Sequence, residues 1–528
     1  MARKNKTTGR TGNGKSRQKA SDRNSEHPDQ QRAQQEEERT QREQKKEGEK
    51  EVSRTRQSDS RNSEKKEPSH DEGKDERRKE GFPVIGIGAS AGGLQALEAF
   101  FSNVPEESGI AYTVISHTDP DRTSLLPDIL ERKAKIPVKR IEEGMRVESD
   151  TVYLPPSDKE LAIEDRVFRL KERQKRDGLY MPIDSFLRSL AEDCTEHAGC
   201  VILSGTGTDG TLGLRAIKEK AGITVAQSID SARHSGMPRS AIETGLVDFI
   251  LAPEKMAEEL VRYYRHPGKI EKKKEEEAPD TLRKILLFLS NRAGHDFSLY
   301  KKSTLIRRIE RRMSITQSQN GSEYLSYLHK NPKEAEALFQ DLLIGVTSFF
   351  RDPEAFAFLK EKVLPELIDR SEEPIRIWIA GCSTGEEAYS VAIAVKEASA
   401  EKDYSRRFQV FATDLDRQAI EKARQGVYIE SIAADVSPER INRFFTKTDH
   451  LYQVKKEIRE TIVFAVQNVL NDPPFSNLNL LVCRNLLIYL ESEAQRKLVP
   501  LFHYTLKPGG VLFLGASESV GRFGDLFQ

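Results

Sequence analysis

The sequence predicts an α/β protein with two doubly wound, mainly parallel sheets, a helical subdomain between them and a disordered N-terminal tail. Three observations carry this expectation. Short β-rich apolar runs at 82–88, 111–116, 201–204 and 223–226 are separated by helical patterns, and strands that are apolar without alternation belong to sheets covered on both faces. The same alternation restarts at 375–379 and continues through 408–412, 478–483 and 511–514. Between the two regions, residues 281–370 are patterned as helix almost throughout. Strands alternating with helices build parallel sheets whose ligands bind beyond the carboxyl ends of the strands.

A chain of 528 residues exceeds one ordinary core, because domains average roughly 150 residues. Residues 1–80 contain no Phe, Tyr, Trp, Leu or Ile, and so little apolar surface cannot offset the entropy of ordering; a disordered charged tail is expected there. Its first twenty residues carry only basic charges, from Arg3 to Lys19, and read as a solvated arm. The expected units that follow are an α/β domain at 82–265, a charged linker at 266–280, the helical subdomain at 281–370 and a second α/β domain at 371–528. Lys plus Arg and Asp plus Glu both number 84, so net charge offers no argument for nucleic acid. No apolar run approaches the roughly 20 residues of a membrane-spanning helix, and the N-terminus lacks the apolar core of a secretory signal, so a cytoplasmic location is expected. Cys194, Cys200, Cys382 and Cys483 form no CxxC pair, which favours reduced structural thiols over a disulfide framework or a zinc site, and no metal is expected.

Gly88-Ala89-Ser90-Ala91-Gly92-Gly93 sets Ser90 directly after a strand at the mouth of a helix, where backbone amides suit a nucleophile. On this hexapeptide alone, an N-cap serine or a phosphate-binding loop ranks above catalysis. His117, just past the strand at 112–115, and Asp209, in the loop 204–210, reverse that ranking, because all three residues stand at carboxyl ends of strands. If those strands are neighbours, His117 accepts the Ser90 proton and Asp209 fixes the imidazole tautomer, as an acyl-transfer triad requires. Glycines around Ser90 and Asp209 leave backbone amides for an oxyanion hole. The order Ser, His, Asp is not that of the α/β-hydrolases. Segments 85–93, 115–117, 203–210 and Gly236-Met237-Pro238-Arg239-Ser240-Ala241 together resemble the catalytic domain of the chemotaxis methylesterase, CheB, over roughly residues 82–263. The resemblance implies Ser90 as nucleophile, His117 as base and Asp209 as its orienter, with glutamate methyl esters on receptor cytoplasmic helices as substrate. It also marks two departures. The charged tail stands where the free-standing enzyme has a phosphorylatable receiver domain, which puts control by aspartyl phosphate in doubt, and Thr206 replaces a common methionine, a change expected to touch substrate preference rather than activity.

In the second region, Gly381-Cys382-Ser383-Thr384-Gly385-Glu386-Glu387 follows a strand and opens a helix. Its glycines admit a ligand close to the backbone, and its two carboxylates would repel a pyrophosphate. Asp414 ends the next strand, where an acidic residue reads ribose hydroxyls in nucleotide folds; a plain helix N-cap is an equally good reading of it in isolation. The pair fits an adenosyl ligand without phosphates, S-adenosylmethionine, while a dehydrogenase would want a GxGxxG loop. With Val346-Thr347-Ser348-Phe349-Phe350-Arg351, Gln467-Asn468-Val469 and Val482-Cys483-Arg484-Asn485-Leu486-Leu487-Ile488-Tyr489, this region resembles the chemotaxis receptor methyltransferase, CheR, over about residues 281–528. The resemblance implies that Thr347, Arg351, Glu387, Asp414, Asn468, Val469, Arg484 and Asn485 line the cofactor site, with Arg351 and Tyr489 near the transferred methyl. Methyl transfer to an already ionised glutamate needs alignment more than acid–base help. Arg351 is therefore expected to hold the substrate carboxylate and Tyr489 to position it.

Lys301-Lys302, Arg307-Arg308 and Arg311-Arg312 form a basic helix face expected to dock an acidic receptor helix, and the lack of interleaved aromatics argues against nucleic acid. Residues 445–463 contain no glycine, whereas receptor-tethered relatives carry a glycine-bearing β insertion there, so a tether-independent form is implied. The chain stops at Gln528, before the closing strands usual in the family, as a fragment of something longer would. The expected function is a bifunctional enzyme that methylates receptor glutamates and hydrolyses the resulting esters, with chemoreceptor-type proteins as partners. The alternative is a signalling scaffold with one or both sites silent. A nucleic-acid methyltransferase joined to an unrelated hydrolase ranks last, because Asn471-Asp472-Pro473-Pro474-Phe475 precedes its strand instead of following it.

Overall fold

Val84–Ala89 (β1) is buried along its whole length, as its unbroken run of apolar and small residues requires. The structure is a computed structural model and describes residues 81–117, 125–173, 180–265, 278–371, 373–402 and 407–528. The expected tail, and residues 266–277 of the expected linker, lie outside these. The strands that follow are Ala111–Ser116 (β2), Val138–Arg140 (β3), Thr151–Leu154 (β4), the hairpin Lys159–Glu164 (β5) and Val167–Glu172 (β6), then Ala198–Ile202 (β7), Ile223–Gln227 (β8) and Phe249–Leu251 (β9). Seven of them form one parallel sheet in the order β3-β4-β2-β1-β7-β8-β9. The chain winds outward from β1 through β2 on one side and returns to β7 on the other, so the crevice of this sheet opens between β1 and β7.

Helices Gly93–Phe101 (α1), Leu126–Lys133 (α2), Pro182–Cys194 (α3), Thr211–Glu219 (α4), Gly236–Glu243 (α5) and Pro253–Arg265 (α6) cover the two faces. Ile85 and Ile87 of β1 pack with Phe100, Leu97 and Leu260 of α1 and α6. Val84, on the other face, packs with Phe186 and Leu187 of α3. That face of β1 continues as glycine because α3 lies against it: a Cβ on Gly86 would meet Leu187 Cδ2 at 2.4 Å, and one on Gly88 would meet Ile183 Cγ2 at 2.6 Å. The β5–β6 hairpin escapes sequence reading because it is highly charged; its turn, Asp165-Arg166, has positive φ at both residues, the geometry of a type I′ turn.

The second half opens with four helices, Ala278–Ala293 (α7), Lys302–Thr316 (α8), Gly321–Lys330 (α9) and Pro332–Leu343 (α10), around Ile285, Leu289, Phe297, Ile309, Tyr324 and Leu338. Helix α7 starts at Ala278, inside the stretch expected as linker. Helices Pro353–Phe358 (α11) and Leu364–Arg370 (α12) lead to the second sheet. Its strands are Ile375–Ala380 (β10), Phe408–Asp414 (β11), Ile462–Val466 (β15), Leu478–Cys483 (β16) and Leu506–Leu514 (β17), all parallel in the order β15-β11-β10-β16-β17. The crevice here opens between β10 and β16, and the helix after β10 is Glu386–Glu401 (α13). Val427–Ile429 (β12), Phe445–Thr448 (β13) and Leu451–Val454 (β14) form a small antiparallel sheet of three or four residues per strand, too short to register as periodicity.

Only part of the basic face of α8 is the open docking surface expected of it: Lys302 is exposed and the Arg307 side chain keeps 41% of its surface, but Arg308, Arg311 and Arg312 are turned inward. Arg308 and Arg311 are 2% and 4% exposed, and they face the first half of the chain. Arg311 joins Asp248, before β9, to Asp341 in α10, and Lys218 of α4 bridges the same two carboxylates at 2.8 and 3.0 Å. Burial alone would raise the Asp248 carboxyl, but Arg311 and Lys218 hold it below its usual value. Arg312 turns inward to Glu334 of α10. Buried guanidiniums require carboxylate and carbonyl partners, and the two halves supply these to each other.

Candidate active sites

In the first sheet, the tight turn after β1 is closed by Gly93 N donating to Ser90 O at 2.8 Å and Ser90 N donating to Ser204 O at 3.0 Å. The N-cap of α1 is Gly92, with φ 71°, so Ser90 does not cap this helix. Its hydroxyl lies 3.0 Å from His117 Nδ1, and His117 Nε2 lies 2.8 Å from Asp209 Oδ2. Asp209 is buried, and its carboxylate also accepts from the backbone N–H groups of Ile183, Asp184 and Gly210 at 3.1, 2.9 and 2.9 Å. The positive end of α3 therefore points at this carboxylate. With Asp209 restricted to accepting, the imidazole proton sits on Nε2, and Nδ1 is left to take the proton of Ser90. The His117 side chain keeps 30% of its surface, which leaves the pair open to an incoming ester. Gly205 lets α5 approach the same spot: a Cβ there would meet Met237 Sδ at 2.1 Å and Ser90 Cβ at 3.0 Å.

Sequence reasoning missed Asp184. It sits in the first turn of α3, accepts from Gly213 N at 2.7 Å, and lies beside Asp209. Burial first, and the Asp209 charge second, push its carboxyl well above the usual range. No motif marks it, because the helix that carries it is separated from the triad loops in sequence.

In the second sheet the loop after β10 carries Gly381, Ser383 and Gly385 at φ 80°, 48° and 94°. A Cβ on Gly385 would meet Ala423 Cβ at 2.8 Å, so the loop can lie against the helix Arg417–Gln425 only without one. Asp414 accepts from Ser383 N at 2.8 Å and from Asp416 N at 2.9 Å; the helix cap is Asp416, which accepts from Gln418 N, so the N-cap reading of Asp414 is removed. Desolvation raises the Asp414 carboxyl above its usual range. Arg484 is buried after β16 and ties three residues together: Nη1 donates to Glu387 Oε1 at 2.9 Å, and Nη2 donates to Arg351 O at 3.0 Å and to the Asp352 carboxylate. Burial pushes the Glu387 carboxyl up, against the pull of Arg484. Thr347 is half-buried on the segment leading to Arg351, and that segment reaches the glycine loop, since a Cβ on Gly345 would lie 3.5 Å from Ser383 Oγ. Asn485, at φ 56°, donates its N–H to Glu518 at 2.8 Å, alongside the N–H groups of Leu486 and Leu487. Glu518, which the sequence did not single out, shapes this loop. Val469 packs at the edge of the core around Trp378.

The helical subdomain borders this second site. Lys301 N donates to Tyr489 O at 2.9 Å and Glu491 N to Leu299 O at 2.8 Å, stapling it to the loop after β16. Asn468 Nδ2 lies 3.2 Å from His295 Nδ1, and the charge of Asp414 reaches the phenol of Tyr300. Among the described residues, Ser383 Oγ and His295 Nε2 are buried without a hydrogen-bond partner. Unpartnered polar atoms, strained glycine-rich backbone and acidic rather than basic residues at the helix start fit a polar adenosyl ligand without phosphates.

His295, another residue sequence reasoning missed, is driven by burial from 6.5 to about 4. A histidine depressed in the folded state contributes stability that is complete above the unfolded pKa and is lost as pH falls toward the folded one. The loss between pH 6.5 and 4 amounts to about 3 kcal/mol. Urea unfolding of the methyltransferase half should show that decline, and His295→Gln should flatten it.

Three family profiles match this chain: CheB methylesterase over residues 85–260, the all-alpha domain of CheR methyltransferase over 280–343, and the CheR S-adenosylmethionine-binding domain over 345–528. S-adenosylmethionine is accordingly the cofactor of the second half. An uncharacterized 104.1 kDa protein of Rhodobacter capsulatus is 38% identical over 429 residues, 76% of this chain, and the chain spans only 45% of that protein's length. Chemotaxis protein methyltransferase 2 of Vibrio cholerae is 31% identical over 46% of this chain and 86% of its own length, and the chemotaxis protein methyltransferase of Salmonella typhimurium is 33% identical over 45% and 83%. Among solved structures, the CheB methylesterase catalytic domain of Thermotoga maritima is 30% identical, covering 34% of this chain and 98% of that one, with a TM-score of 0.33. No helix among the described residues is long and apolar enough to cross a membrane.

Proposed function

Because this chain belongs to the chemotaxis protein methyltransferase family and carries a CheB methylesterase domain in front of the methyltransferase, we propose that it is a cytoplasmic bifunctional enzyme of chemoreceptor glutamates. One half methylates the carboxylate, and the other returns the ester to glutamate and methanol. The observation that carries this reading is the hydrogen-bonded line Ser90–His117–Asp209, held in one compact unit with the methyltransferase half.

In the esterase half, Ser90 attacks the ester carbonyl while His117 Nδ1 takes its proton and passes it to the departing methanol; a water molecule, giving its proton to the same nitrogen, then attacks the glutamyl ester on Ser90, releasing glutamate and restoring the Ser90 hydroxyl. Asp209 keeps the ring oriented and stabilises the imidazolium. In the other half, S-adenosylmethionine when bound supplies an electrophilic methyl group on a sulfonium. Asp414, Asn468, Glu387, Asn485, Thr347 and Val469 are the residues that would hold it. Arg484 holds the Arg351 segment in place, Arg351 binds the acceptor carboxylate, and Tyr489 limits its position.

The test follows label in and out. Incubation with methyl-labelled S-adenosylmethionine should load a receptor cytoplasmic fragment and then release the label as methanol. Asp414→Asn should weaken cofactor binding roughly 10- to 100-fold by calorimetry, as losing charge-assisted hydrogen bonds would. Absence of both incorporation and release from the wild-type chain would leave only the silent scaffold.

A further inference from the structure

Helix α4 links the two candidate sites. Its first residue, Thr211, follows the Asp209-Gly210 turn, and its last is Glu219. Nine residues of helix span about 13 Å. Along that length α4 is bound to the methyltransferase half: Arg215 pairs with Glu386 in the first turn of α13 at 2.8 Å, Lys218 with Asp341 at 3.0 Å, and Glu219 with Arg351 at 2.7 Å. Its carbonyl end is held as well. Arg308 Nη2 donates to Glu219 O at 2.9 Å, and Arg311 donates to Gly222 O at 3.1 and 3.3 Å. The Arg308 guanidinium satisfies a carbonyl that the helix end leaves unpaired, Arg311 holds the turn just beyond it, and both cations meet the negative end of the helix dipole.

The Glu219–Arg351 pair stands apart from these clamps. Arg351 is the group assigned above to the acceptor carboxylate, and what it holds is a glutamate carboxylate presented by a helix. Both side chains are largely covered, at 26% and 18% exposure, which strengthens the pairing relative to a surface ion pair. Tyr489 is near enough that, after burial, the Glu219 charge is the next cause raising its phenol. An acceptor glutamate on a receptor helix would bring the same charge and the same local geometry.

We propose that Glu219 occupies the acceptor position of the methyltransferase half, so that docked α4 and an external glutamate-bearing helix compete for Arg351. This rests on the reading of Arg351 as the acceptor-carboxylate ligand. Because the Asp209 loop opens the same helix, the acceptor site and the esterase triad share one structural element.

The deciding measurement is binding of a fluorescent helical-hairpin fragment from a chemoreceptor cytoplasmic domain to the full chain, by anisotropy, with S-adenosylhomocysteine present. Glu219→Ala and Glu219→Gln should tighten binding by about 5-fold or more, the lower end of ordinary coupling between linked sites. Both should also speed phenylglyoxal modification of Arg351, located by peptide mass spectrometry. Unchanged S-adenosylhomocysteine affinity and ester hydrolysis would show the variants folded, and Lys220→Ala, which touches only the surface pair with Glu192, should behave as wild type. Equal affinity for the fragment in wild type and both Glu219 variants overturns the proposal, whatever the labelling. Failure of every form to methylate the bound fragment would count against the proposed function instead, and the binding comparison would still decide the role of Glu219.

Discussion

Replacing Ser90 with alanine should lower methanol release from esterified receptor by about 10,000-fold or more, while methyl incorporation continues at the wild-type rate. The size of the effect follows from the line of hydrogen bonds. With the hydroxyl gone, His117 Nδ1 has no proton to accept, and only binding and backbone donors remain to favour the transition state. Asp209→Asn should come close to the same loss. The Asp209 carboxylate accepts from His117 Nε2 and from three backbone N–H groups, and an amide cannot accept all four. An amide nitrogen facing Nε2 would favour the other tautomer, placing a proton on Nδ1 where a lone pair is needed. Residues acting as one unit are not additive, so the double variant should be little worse than Ser90→Ala. Methanol release and methyl incorporation measured on the same sample separate this outcome from unfolding. A Ser90→Ala chain that still releases methanol at the wild-type rate would remove the esterase assignment.

The second large effect concerns Arg484. Arg484→Leu should destabilise the methyltransferase half by about 3–5 kcal/mol and reduce methyl incorporation by about 100-fold. Arg484 is buried, packs against the rings of Phe356 and Phe513 at 5.3 and 4.9 Å, and holds Glu387, Asp352 and the Arg351 backbone together. Its removal leaves the Glu387 carboxylate buried without its cation, and that carboxyl is already pushed up by burial. Calorimetric unfolding checks the first part. Arg484→Leu combined with Glu387→Leu should recover much of the lost stability, since no unpaired charge remains, but not the transfer rate, since the Arg351 segment still loses its anchor. Recovery of both would make Arg484 a purely structural residue. Arg484→Lys should rescue poorly, because one ammonium cannot reach in two directions as the planar guanidinium does.

The two candidate sites differ in how much of them the sequence discloses. Ser90, His117 and Asp209 each follow a recognisable apolar run, so their placement at strand ends is legible, and β1, β2 and β7 do prove to be neighbours. Gly381, Gly385 and Asp414 are legible for the same reason. Asp184, His295 and Glu518 are not. Asp184 reaches its site through packing of a helix whose own pattern reports only that one side is buried, while His295 and Glu518 stand in irregular segments that carry no period at all. The three-stranded sheet at β12–β14 was equally hidden, since strands this short carry too few residues to show a period.

By itself, then, the sequence determined two doubly wound sheets, the helical block between them and the residues standing at the crevice of each sheet. Periodicity of 2 or 3.6 and glycine placement are local properties of a chain. Tertiary structure alone decided what faces what. The basic face of α8 was read as open to a partner, yet Arg308 and Arg311 are buried against the esterase half. Glu219 and Arg351, 132 residues apart, form an ion pair that no local pattern announces. The physical reason is the same in both cases: local pattern shows at most which side of an element a charged residue lies on, but its partner is set by how the two cores pack together.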